Sequence, residues 1–166
     1  MSDSSLSDSD FFERVLPFFE QIGIPYRLEP FAFTSFLPGV GLHKGQLWID
    51  QSTLVAVGDV LHEAGHYAVT EADKRAALGQ GVLEDNPEIG GEEMTAMLWS
   101  YAVALHLAIP PEVVFHKQGY KGQADWILER YAAADFFGLP LLRYFGMAHF
   151  PDEGPEFPKM KQWLRP

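Results

Sequence analysis

The chain has 166 residues, 47% of them hydrophobic, with 23 acidic and 12 basic side chains, a formal charge of −11 and no cysteine. Such a length and composition suit one domain with a sizeable core. The acidity repels nucleic-acid phosphates, and the lack of cysteine excludes a disulfide framework, a thiol nucleophile and any thiolate zinc ligand.

Residues 1–10 are rich in Ser and Asp and lack the basic start and apolar core of a signal peptide, so they read as the disordered leader of a cytoplasmic protein. Within residues 11–22, Phe12, Val15, Leu16 and Phe19 recur at helical spacing, with Pro17 expected to shorten or kink the helix and Gly23 to end it. Residues 25–50 are short aromatic and aliphatic runs broken by Pro38, Gly39, Gly41 and Gly45. They predict two or three strands with a turn near His43-Lys44-Gly45, in a small antiparallel sheet. A helix follows, described below. Residues 71–91 carry charges, the breaker run Gly79-Gln80-Gly81 and the pair Asn86-Pro87, and read as a loop with room for one short helix, long enough to shape a cleft. Gly90-Gly91 is expected to break the chain before a buried helix over residues 92–105, which ends ahead of Pro110-Pro111. Helical patterns recur at 112–115, 123–137 and 140–147, followed by an irregular Pro-rich tail. No apolar stretch is long enough to span a membrane. The fold class expected is α+β: a mainly helical single domain with a small antiparallel sheet before the motif helix.

That helix carries His62-Glu63-Ala64-Gly65-His66, an HExxH pattern. Helical spacing puts both imidazoles on one face, the arrangement of two ligands to one Zn2+ ion. Glu63 lies about 100° round the helix, well placed to hold a metal-bound water and take its proton. With Leu54 as origin, Val57, Leu61, Ala64 and Ala68 form an apolar stripe, while Asp59, His62 and His66 cluster opposite. A catalytic zinc needs a third protein ligand. Two carboxylates open the next helix. Glu93 heads a row of small residues, Ala96, Ser100 and Ala104, that allows another helix to approach closely, whereas Glu92 lies nearer Trp99 and Val103. Glu93 is therefore the preferred ligand and Glu92 the fallback, against the plainer reading that both favour the positive end of the helix dipole.

The stretch 46–115 resembles the ImmA/IrrE family of gluzincin-type metallopeptidases. Its strand piece is Gln46-Leu47-Trp48-Ile49-Asp50, its motif piece Val60-Leu61-His62-Glu63-Ala64-Gly65-His66, its second helix opens with Glu93-Met94-Thr95-Ala96, and Leu107-Ala108-Ile109-Pro110 closes it. The resemblance implies a zincin-like fold over residues 11–166, metal ligands at His62, His66 and Glu93, and Glu63 as general base. Met97 stands where relatives often carry asparagine, and no helix-turn-helix segment is recognisable.

The function expected is a zinc-dependent peptidase acting on a protein or peptide, with metal-activated water and Glu63 as base, and with neither nucleic acid nor membrane as partner. The alternative is a non-catalytic zinc-binding regulatory or protein-interaction module on the same scaffold. Asp59 either orients a ligand or is a solvated first-turn acid. His43, His106, His116 and His149 receive no role, and Tyr101 and Tyr120 are explained by core packing and turn chemistry, leaving the oxyanion donor unassigned. The apparent strand Leu47 to Ile49 stands shortly before the motif helix, so either one strand of this small sheet offers a free edge along the cleft to an extended peptide, or the sheet only covers the helices.

Overall fold

The computed structural model describes residues 6–79 and 89–166. Helix α1, Asp8–Ile22, starts where the Ser7 side chain accepts the Asp10 N–H at 3.0 Å, with Asp8 and Asp10 in the first turn. The described end of the expected disordered leader is thus capped helix; residues 1–5 lie outside the described residues. The helix runs on through Pro17, because the lost backbone bond is outweighed by burial of Phe11, Phe12, Val15, Phe18 and Phe19 on both sides of it. Gly23 closes it, donating to the Phe19 carbonyl at 2.9 Å.

Strands β1 (Tyr26–Leu28), β2 (Val40–His43) and β3 (Gln46–Ile49) form one sheet in the order β1-β3-β2. β2 and β3 are an antiparallel hairpin closed by Lys44 and Gly45, both at positive φ, as a two-residue turn requires. β1 pairs with β3 in parallel, Tyr26 opposite Leu47 and Leu28 opposite Ile49. The sheet is therefore mixed, not antiparallel. A simple meander would have put β2 in the middle; instead β3, whose Leu47 and Ile49 are fully buried, takes the centre, and β1, mostly exposed, is left at an edge. β3 is paired along both edges, which leaves the outer edges of β1 and β2 as the ones at which an extended peptide could join this sheet.

The motif helix α2 spans Asp59–Val69, and a 3₁₀ segment, Ala72–Ala77, is the short helix of the following connection; residues 80–88, with the expected turn pair Asn86-Pro87, lie outside the described residues. Helix α3 is Ile89–His106. Gly90-Gly91 does not break the chain before it but falls within its first turn, where amides have no intrahelical acceptor to lose and glycine costs little beyond propensity. Its Thr95 and Ser100, both buried, return their hydroxyls to carbonyls three or four residues back. α4 (Pro111–Val114), α5 (Ala124–Ala132) and α6 (Leu139–Tyr144) follow. α5 stops five residues short of the expected 137. Ala134 takes a left-handed conformation and Asp135 N–H bonds the Arg130 carbonyl, turning Phe137 back against Tyr131 and Trp126.

The tail is irregular but packed: the Trp99 indole N–H bonds the Trp163 carbonyl at 2.8 Å, and the Arg165 N–H bonds Ala68 O at 2.9 Å. One hydrophobic cluster links α1, the sheet, all later helices and Phe157 of the tail. Among the described residues no helix is long and apolar enough to cross a membrane.

Candidate metal centre

α2 is buried nearly all round. Val60, Leu61, Ala64, Gly65, Tyr67, Ala68 and Val69 are inside, and His62, Glu63 and His66 form a partly open polar window between them. The expected stripe is seen in Leu61, Ala64 and Ala68; Leu54 and Val57 precede the helix and are half-buried.

The position of Glu93 follows from how closely α2 and α3 cross. A Cβ at Gly65 would stand 2.7 Å from the Ala96 carbonyl oxygen, so only glycine lets the two backbones meet there. Ala96, Ser100 and Ala104 are all fully buried, as a row of small residues at a helix contact should be. Glu93 lies one turn before Ala96 on the same face and reaches both imidazoles. Its carboxylate oxygens are 2.8 Å from His66 Nε2 and 3.2 Å from His62 Nε2. The two rings stand nearly perpendicular, with centroids 5.0 Å apart.

These three residues offer ligand atoms that all lie within 4.8 Å of one another, the one such cluster of His, Asp and Glu among the described residues. Tetrahedral zinc ligands at about 2 Å from the ion stand roughly 3.4 Å apart. Two imidazole nitrogens and a carboxylate oxygen at these spacings therefore fit the ion in both chemistry and size.

The same contacts set the charges of the cluster. Burial works to raise the pKa of Glu93, but hydrogen bonds and charge from His62 and His66 overcome it and hold the carboxyl far below its ordinary range. For His66, burial disfavours the charged ring, yet the hydrogen bond to Glu93 and the charges of Glu63 and Glu93 outweigh it and raise the pKa. Glu63 is raised by burial, with the two imidazoles pulling the other way.

The chain matches no protein-family model, no curated protein and no solved structure.

Around the cluster lie two contacts that spacing could not reveal. The Tyr120 hydroxyl is 3.2 Å from His62 Nδ1, and His116 Nε2 is 2.8 Å from Asp59 Oδ1. Tyr120 is thus more than a turn residue. Asp59 is 7% exposed, which corrects its reading as a solvated acid, and its partner is His116, not His62 or His66. The other histidines lie outside the cluster: His43 stacks on Phe33, His106 meets Phe18 and Trp163, and His149 pairs with Glu153. Tyr101 packs among Phe115, Tyr131 and Phe136, as core packing predicts. Tyr131, 1% exposed, buries a hydroxyl with no hydrogen-bond partner among the described residues.

Proposed function

We propose that this chain is a zinc-dependent peptidase, with His62, His66 and Glu93 holding the ion and Glu63 as general base. The observation that carries the reading is the convergence of three ligand atoms from α2 and α3 within 4.8 Å, with the Glu63 carboxylate close enough to feel both imidazoles. Bound zinc would polarise the scissile carbonyl and make water acidic enough to lose a proton near neutrality. The chain's own residues do the rest. Glu63 takes the proton from the attacking water and delivers it to the departing amide nitrogen, so the peptide bond breaks with one water consumed. Burial, which raises the Glu63 pKa, suits a carboxylate that must hold a proton briefly at neutral pH. The resemblance to ImmA/IrrE metallopeptidases supports the same assignment of roles and a protein or peptide substrate.

The test is hydrolysis of an unbiased peptide library by zinc-loaded protein, followed by mass spectrometry. The parent should cut, and Glu63→Gln should keep zinc and fold while losing about 10²- to 10⁴-fold in rate. Zinc retention without any cleavage by the parent would replace the peptidase with a non-catalytic binding module.

A further inference from the structure

We infer that Tyr120 is the positioning residue of His62, holding its imidazole in one orientation whether or not the metal is bound. This rests on the zinc reading above and adds a residue to it. His62 presents Nε2 to Glu93 at 3.2 Å, so Nδ1 points to the far side of the ring, where the Tyr120 hydroxyl meets it at 3.2 Å. A ring that gives its Nε2 lone pair to a metal must carry its proton on Nδ1 and needs an acceptor there. A neutral ring that donates Nε2–H to Glu93 instead has a lone pair on Nδ1 and needs a donor. A phenolic hydroxyl serves as either, whereas a carboxylate or a carbonyl can only accept. Tyr120 therefore satisfies His62 in both states without moving the ring, and the proton can shift from Nε2 to Nδ1 as the metal enters.

The surrounding chain is built to hold that hydroxyl in place. α4 ends against the start of α2, where a Cβ at Gly58 would lie 2.0 Å from the Val113 carbonyl oxygen. The segment after α4 is then fixed to α2 at two points one turn apart, His116 on Asp59 and Tyr120 on His62. Tyr120 and Lys121 both adopt left-handed backbone, at φ 58° and 55°, a conformation side chains resist unless their surroundings impose it. The Tyr120 ring lies 5.0 Å from Phe115 and edge-on to His62 at 5.5 Å, so packing and the hydrogen bond fix it together.

The experiment combines zinc competition against a chelator with ¹⁵N NMR of the imidazole rings, on the full chain. In the parent, His62 should show a solvent-protected Nδ1–H when loaded with zinc. Tyr120→Phe, which keeps the ring and the packing, should bind zinc about 10- to 100-fold more weakly and lose that protection. A zinc affinity equal to the parent's in Tyr120→Phe, while His62→Ala is stripped of metal, overturns the role of Tyr120 and leaves the zinc site standing. An Nε2–H signal for His62 in the zinc-loaded parent also overturns it, and needs no variant. A parent chain that retains no zinc overturns the zinc reading and this inference with it.

Discussion

Replacing Gly65 with alanine strains the crossing that gathers the site. The added Cβ would stand 2.7 Å from the Ala96 carbonyl oxygen and 3.2 Å from its C and Cα, and all three are backbone atoms that cannot swing aside. Reaching ordinary van der Waals contact at 3.4 Å requires α3 to retreat by about 0.7 Å. Overpacking of this kind costs about 1–3 kcal/mol, and the better helix propensity of alanine offsets ~1 kcal/mol of it. The net loss is then up to about 2 kcal/mol. Glu93, one turn from Ala96, retreats with the helix and loosens its 2.8 Å contact with His66. Urea unfolding of the metal-free variant should report the lost stability, and chelator competition a weaker hold on zinc. A variant about 1 kcal/mol more stable than the parent, with unchanged zinc affinity, would refute the crossing, since only propensity would then be at work.

Metal analysis should find about one zinc per chain, strongly reduced by alanine at His62, His66 or Glu93 and unaffected by Glu92→Ala; the reverse result for the two glutamates would refute the choice of ligand. Without metal, the raised His66 pKa stabilises the fold fully below the ordinary histidine value of 6.5 and stops doing so as pH rises from there through the raised value, while the lowered Glu93 pKa stabilises above the ordinary 4.5 and fails as pH falls well below that. Their pairing should therefore support the metal-free protein most between these values, whereas stabilisation by zinc, which must displace the His66 proton, should grow as pH rises past 6.5; thermal unfolding across pH with and without zinc checks both signs. Asp59→Ala should cost about 1–3 kcal/mol by leaving His116 without its partner, and an unchanged unfolding midpoint would contradict the contact.

His62, Glu63 and His66 were legible because their relation is local: three residues within two helical turns, flanked by an apolar stripe. Glu93 was legible at one remove, since the small residues Ala96, Ser100 and Ala104 announce a close helix contact and Glu93 stands in the same row. Tyr120 and His116 were not, because their bonds join residues 58 and 57 positions apart through an irregular segment with no spacing rule. The hairpin about Lys44 and Gly45 was readable from its turn, but neither the place of β1 nor the entry of β3 between β1 and β2, which depends on which strand buries most. Gly90-Gly91 misled because glycine signals a break mid-helix and is tolerated in a first turn, and Ala134 ended α5 in a conformation that composition assigns to glycine.

The most direct measurement of the central claim is a crystal of the zinc-loaded chain examined by anomalous scattering at the zinc edge. The account predicts one strong peak between α2 and α3, within about 2 Å of His62 Nε2, His66 Nε2 and a Glu93 carboxylate oxygen. A loaded crystal whose zinc lies elsewhere, or in which Glu93 turns away from both histidines, would contradict it.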